Sequence, residues 1–377
     1  MFSKEYFQSL ESSWDRLKTC EKPILIYGMG DGAEKLLDEF DRLGIKCTGV
    51  FASDDFVRGQ SFRGFKVQTF SQVQAQFGDI TVVLGFGTSL PEIMERIDNI
   101  EKSCEVIVPE MCVAGDENFS KEKLLSMYSQ AEKAYRLFDD DISKLTFEKL
   151  TAFKITGKLS YLREIFTDKD KITEILPIGE NEIYCDLGAY TGDTAAELIS
   201  RTGGKYERIY ALEPERKNFQ KCLKNLKAND NISLYNAAAW SIDTELYFAG
   251  GAGRQGRVDA TGKKVRARSL DSVLAGKKCT YIKYDVEGAD LEAIKGSEYT
   301  ISRYAPKICS ALYHRPYDYI TLPLYINSLC KGYKFYIRQE RYSGTCARTF
   351  YVGDGVTQED IHAKFEDGIL KLSVPKK

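Results

Sequence analysis

Histidine is nearly absent: His314 and His362 are the only two in 377 residues. That leaves little from which to build a zinc centre, because such centres draw on several His and Cys ligands. The ten cysteines do not compensate, since they are scattered and no C-x-x-C pair occurs. No run approaches the roughly 20 apolar residues of a membrane helix. The opening "MFSKEYFQSLESSWDRL" is patterned as an amphipathic helix and lacks the apolar core of a signal peptide. Excess charge of either sign is also missing, the formal net charge being −2. A nucleic-acid backbone binder needs a basic face, which this balance does not supply. What is present, 43% hydrophobic and 29% charged residues, describes a globular protein long enough for two cores. The expectation is a cytoplasmic protein with reduced, mostly buried thiols.

The pattern along the chain is α/β. "ILIYGMGDGAEKLL" (24–37) runs an apolar strand through a glycine turn into a helix with Ala33, Leu36, Leu37, Phe40 and Leu43 at helical spacing. "CTGVFAS", "ITVVLGFG" and "CEVIVP" supply further buried strands, giving a first domain over 1–115 that is expected to fold alone. Residues 116–178 read as a charged helical connector, closed by Pro177 and Gly179. The alternation restarts at 181, with strands expected at 183–186, 208–212, 232–236, 280–284 and 307–312. Helices are expected at 193–201, 215–227, 288–296 and 319–330. "YKFYIRQ" and "ARTFYVGD" read as paired last strands of a domain spanning 179–353, before a tail at 354–377. The stretch 249–264 reads as a glycine-rich basic loop or hairpin.

"IYCDLGAYTGDT" (183–194) is a second glycine turn, and an acidic one. In such sheets the ligand lies at the carboxyl ends of the strands, and Gly188 and Gly192 would let the backbone come close to it. Glu213 closes the next strand, where a carboxylate can accept from both hydroxyls of a ribose. A dinucleotide would place its pyrophosphate at the helix N-terminus, where Asp186 and Asp193 would oppose it. S-adenosylmethionine carries an ammonium and a sulfonium instead, and carboxylates suit it. Asp193 can also act simply as a helix cap.

"YCDLGAYTGDTAAELI", "IYALEPERKNFQKCLKNL", "NAAAWSIDTELYF", "SLDSVL" and "YIKYDVEGADLEAIKGS" follow in the order found in FkbM-type methyltransferases, and "YHRPYDYITLPLYINSL" and "YKFYIRQ" extend the likeness over roughly 181–351. The segment therefore resembles that family. The resemblance implies a class I S-adenosylmethionine-dependent methyltransferase fold, so that the chain holds two Rossmann-like domains joined by the connector. It also implies O-methylation of a sugar, glycan precursor or other hydroxylated metabolite, with a place in polysaccharide biosynthesis. Its cofactor side would comprise Asp186, Gly188, Tyr190, Gly192, Asp193, Thr194, Glu213, Ala237, Ala238 and Asp285.

"KYDVEG" sets Lys283, Asp285 and Glu287 at and beyond a strand end, starting on one face. Asp285 matches the position of a carboxylate beside the methionine moiety or the acceptor. Lys283 is a candidate catalytic residue, or else half of a buried ion pair. His314, in "LYHRPYD", is a candidate general base with an ordinary pKa near neutrality, oriented by Asp318 or Asp285. A divalent metal held by Asp285, Glu287 and His314 is conceivable, but the spacing alone does not support one.

"YGMGDGAE" with "GVFASDD" and "RGFKV" resembles the small nucleotide-binding domain that precedes sugar acyltransferases. This implies a second site for a nucleotide or nucleotide-sugar at Gly28, Gly30, Gly32 and Asp54; the alternative is a domain kept for packing or dimerisation. "AKFEDGILKLSVPKK" resembles the end of a small heat-shock protein core, read here as a hairpin turning at Asp367-Gly368. Expected partners are a small-molecule or glycan acceptor, with homo-oligomerisation left open. The rivals are a sugar-nucleotide-binding protein with a relic methyltransferase domain, and an NAD-linked dehydrogenase or epimerase. The latter is disfavoured because no Y-x-x-x-K pair is suitably placed.

Overall fold

Strand β1 (Ile24–Tyr27) is apolar and buried at every position, as the centre of a parallel sheet covered on both faces must be. In this computed structural model the described residues are 2–88, 90–115, 117–167, 174–249, 257–258, 262–339, 362–366 and 369–373. They fall into two units, Met1–Gly344 and Thr345–Lys377.

The first sheet has the order β2-β1-β5-β6 and is parallel throughout, with β2 at Cys47–Phe51, β5 at Thr81–Leu84 and β6 at Glu105–Ile107. A small antiparallel pair, β3 (Ser61–Phe62) and β4 (Phe65–Lys66), follows β2. The helix Asp31–Leu43 buries Ala33, Leu36, Leu37 and Phe40 on one side of the sheet. Its other side is covered partly from beyond residue 115: Phe153, Leu159, Leu162 and Ile165 pack with Leu25, Tyr27, Phe51 and Val82. The connector is therefore part of the first sheet's core.

The second sheet has the order β15-β14-β7-β8-β9, again all parallel. Its strands are β7 (Ile183–Leu187), β8 (Arg208–Leu212), β9 (Ile232–Tyr235), β14 (Tyr281–Tyr284) and β15 (Lys307–Ser310). The helices Asp193–Arg201, Arg216–Leu226, Asp290–Lys295 and Asp318–Leu329 lie within a few residues of their expected bounds. A side sheet of order β10-β13-β11-β12 is built from Ala238–Ala239 (β10), Thr244–Ala249 (β11), Arg257–Val258 (β12) and Lys263–Arg268 (β13). So part of the expected glycine-rich hairpin is paired strand.

"YKFYIRQ" is not a strand. Phe335 and Gln339 make single bridges to Phe138 and Phe166 of the connector, and among the described residues no sheet partner continues them. "ARTFYVGD" lies outside the described residues. Beyond residue 344, β16 (His362–Glu366) and β17 (Ile369–Ser373) form an antiparallel pair on either side of Asp367-Gly368. The nine described cysteines are unbridged, four of them buried. Among the described residues no helix is long and apolar enough to cross a membrane.

Candidate active site

The turn after β7 is held against the end of β14. At Gly188 the backbone has φ +86°, and an added Cβ would fall 1.9 Å from the Asp285 carbonyl oxygen. Gly192, with φ +82°, precedes the helix Asp193–Arg201, and a Cβ there would meet Cys222 Sγ at 3.0 Å. Both glycines are thus required by packing within the chain. The close approach that Gly188 permits is to Asp285, not to a ligand alone.

Asp186 is fully buried, and each carboxylate oxygen is engaged within the chain. Oδ2 accepts from Thr194 Oγ1 at 2.6 Å and Oδ1 from Lys283 Nζ at 3.1 Å. Lys283 also donates to the Gly188 carbonyl at 3.0 Å, and its side chain is 13% exposed. Burial would lower the lysine pKa, but the charge of Asp186, with Asp285 behind it, outweighs this and raises it. Lys283 and Asp186 therefore form the buried ion pair that was one reading of Lys283, and they clamp β14 to β7. The negative charge that the sequence set against a pyrophosphate at Asp186 is answered inside the protein. Asp193 stands exposed at the first position of its helix.

Across β7, Glu213 follows β8. It is 7% exposed, with Oε2 accepting from Tyr190 N and Oε1 from Glu215 N, each at 2.8 Å. Burial pushes its pKa up to about 7, against the pull of those two amides. Tyr190, with φ +48°, presents its amide to Glu213. Ala237 and Ala238 are buried just beyond β9.

On the other side of β7, a cluster forms beyond β14 and β15. His314 is fully buried; Nδ1 lies 2.8 Å from Asp290 Oδ2, while Nε2 lies 3.3 Å from Asp285 Oδ1 and 3.7 Å from Glu287 Oε2. Nε2 makes no well-aligned hydrogen bond. Burial would lower the imidazole pKa, but Asp285 and Asp290 outweigh it and raise it to about 10. That departs from the ordinary near-neutral value on which a base acting near pH 6–7 would rely. The orienting partner is Asp290 rather than Asp318, whose carboxylate accepts from Arg315 N at 3.0 Å and is pushed by burial up to about 6. Asp285 is held below the usual carboxylate range because His314 and Lys283 outweigh its burial. Its side chain is 35% exposed, and Tyr313 donates to it at 3.3 Å. The three atoms that Asp285, Glu287 and His314 offer lie within 4.8 Å of one another, so a cation fits among them.

Two features here had no sequence signal. Asp290 follows "VEGA" as an ordinary first-turn acid, and only the fold buries it. Ala114, from the loop after the first sheet, donates its amide to the His314 carbonyl at 3.0 Å and packs where a Gly288 Cβ would stand.

At the first glycine turn, a Cβ on Gly28 would meet the Phe86 ring at 2.7 Å, and one on Gly32 the Gly85 carbonyl oxygen at 2.3 Å. These two glycines make room for the loop after β5. Gly30 has nothing within 4 Å, and Asp54 is exposed in the turn after β2.

Residues 186–335 match the sequence model of the methyltransferase FkbM domain, and residues 331–377 that of the Hsp20/alpha crystallin family. Among solved structures, the chain is similar to methyltransferase FkbM from Methylobacillus flagellatus KT. The TM-score is 0.68 at 19% identity, over 90% of this chain and 91% of that one. This shows the fold, and the share covered is too large to leave out the first sheet. An E. coli heptosyltransferase with ADP aligns at a TM-score of 0.17 and 11% identity, over 82% of this chain and all of that one, which is too low to bear on either sheet. Among curated proteins, a probable Hsp20 family chaperone of Onion yellows phytoplasma (strain OY-M) is 55% identical over 42 residues, 11% of this chain. The chain spans about a third of that protein's length, 31%.

Proposed function

We propose that this chain, which carries a methyltransferase FkbM domain at residues 186–335, is a cytoplasmic S-adenosylmethionine-dependent O-methyltransferase acting on a hydroxyl of a sugar, glycan precursor or secondary metabolite. The observation that carries the reading is the pair of carboxylates, Glu213 and Asp285, flanking the glycine turn of β7 at the carboxyl edge of a parallel sheet.

The residues suit the cofactor. Glu213 gives one lone pair on each oxygen to a backbone amide, and a carboxylate has about four such sites, so two remain for ribose hydroxyls. A buried carboxylate pushed up to about pH 7 is short of donors, and two hydroxyls would supply them. Asp193 at the helix start disfavours a pyrophosphate there and tolerates an ammonium. When bound, S-adenosylmethionine supplies a methyl carbon already activated by its sulfonium.

The chain's own task is to align a hydroxyl and take its proton. Asp285 is the most exposed of the carboxylates around His314, at 35% against 26% for Glu287, whereas His314 has no exposed surface. Asp285 therefore meets the acceptor hydroxyl and accepts its hydrogen bond, while His314 and Tyr313 hold the carboxylate, each at 3.3 Å. Lys283 holds the strand ends in register through Asp186 and Gly188.

The test is transfer from methyl-labelled S-adenosylmethionine to a panel of sugars, nucleotide-sugars and polyols. Base-stable O-methyl product and S-adenosylhomocysteine should form in equal amounts, and Asp285→Asn should lower turnover by about 10²–10⁴-fold. Label that appears only in amines or carboxyl esters would refute hydroxyl methylation.

A further inference from the structure

We propose that Asp285, Glu287 and His314 bind a divalent cation of the Mg²⁺ or Mn²⁺ kind at the carboxyl end of β14. Two carboxylates and one imidazole converge there, with Nε2 of His314 3.3 Å from Asp285 Oδ1 and 3.7 Å from Glu287 Oε2. Donors bound about 2.1 Å from such an ion stand about 3 Å apart when cis and about 4 Å apart when trans. The three atoms already sit at nearly that spacing.

The imidazole is the independent sign. It is fully buried, and Nε2 has no aligned hydrogen-bond partner, yet it points at the two carboxylates. Leaving a buried nitrogen unpaired costs about 1–3 kcal/mol. The opposite nitrogen is held by Asp290, itself 1% exposed, which is how a metal-ligating histidine is oriented and kept basic. Lys283, 3.8 Å from Asp285 Oδ2, is the nearest opposing cation, and Asp186 and Gly188 hold it on the far side.

Asp285 and Glu287 have side chains 35% and 26% exposed, so the remaining positions open outward. On the methyltransferase reading, a cation held there would supply Lewis-acid polarisation of an acceptor hydroxyl, whose proton would pass to Asp285 or solvent. Two hard oxygens suit Mg²⁺ or Mn²⁺; zinc would bind the same set more tightly, so availability rather than intrinsic preference decides the resident ion.

The experiment is Mn²⁺ titration of the chelator-treated full chain, followed by the loss of the free-ion electron paramagnetic resonance signal. One saturable equivalent is expected, weakened at least tenfold by Glu287→Gln and by Asp285→Asn, and about 10–100-fold by Asp290→Asn. Circular dichroism confirms that each variant is folded. Absence of saturable binding, or unchanged binding in both folded carboxylate variants, overturns the site. Calorimetry with S-adenosylmethionine on the same samples separates the two readings. Cofactor binding without Mn²⁺ binding overturns the metal site only, whereas Mn²⁺ binding without cofactor binding supports it and overturns the methyltransferase reading.

Discussion

Replacing Lys283 by Met tests whether this lysine is a clamp or a catalyst. The substitution keeps the aliphatic stem and removes the ammonium that meets Asp186 at 3.1 Å and the Gly188 carbonyl at 3.0 Å. Asp186 has no exposed surface, so its carboxylate would be left in the core with the Thr194 hydroxyl donating to it and no ammonium opposite. Breaking a buried pair from one side costs about 3–5 kcal/mol, because the surviving charge is uncompensated. For a domain of this size that corresponds to a melting temperature lower by roughly 6–20 °C. The double variant Asp186→Asn/Lys283→Met removes both charges and should regain most of the loss, since an uncharged replacement of a buried pair is often close to neutral. Thermal melts of the wild type, both single variants and the double variant give the coupling directly. Losses that simply add, or a Lys283→Met variant that melts within a degree or two of wild type but has lost turnover, would refute the clamp.

Glu213 gives a pH signature. Its folded pKa, about 7, lies above the 4.5 of an unperturbed glutamate, so the native state keeps a proton that the unfolded chain has given up between those values. Ligand-free stability should therefore fall by up to about 3 kcal/mol as pH rises from 4.5 to 7, and Glu213→Gln should flatten that slope in urea titrations. Gly188→Ala should cost more than about 2 kcal/mol, because its Cβ would overlap the Asp285 carbonyl oxygen, whereas Gly203→Ala, at φ +59° with open space, should cost about 1 kcal/mol. Equal melting of these two alanine variants would contradict the packing role. Removing residues 345–377 should leave S-adenosylmethionine affinity unchanged, since the methyltransferase match ends at 335. A weakened cofactor isotherm would bring the tail into the site.

The strands and helices of the second sheet were legible because each is short, apolar in the right period and bounded by glycine or acid; β8 and the helix Asp193–Arg201 have the bounds read from sequence. "YKFYIRQ" misled because Phe335 and Ile337 alternate inward like strand residues, but they pack on the connector helices, where no strand runs beside them. The site was legible as a list and not as a network. Strict alternation put Lys283 and Asp285 on one face with Glu287, but β14 ends at Tyr284 and Glu287 takes φ +51°, so the lysine turns to Asp186 while the two acids meet His314. His314 read as a base from its residue type; the three carboxylates that surround it come from the turn after β14 and the helix that follows, and only folding brings them to the ring.

The central claim is that the rim around the β7 turn holds S-adenosylmethionine through Glu213. Isothermal titration of the full chain with S-adenosylmethionine, wild type against Glu213→Ala, tests it most directly. The account predicts one saturable site in the wild type and a loss of about 1.5–3 kcal/mol in the variant, a weakening of roughly 10–150-fold, with unchanged circular dichroism. Equal affinity in the two proteins, or no saturable heat in the wild type, would contradict it.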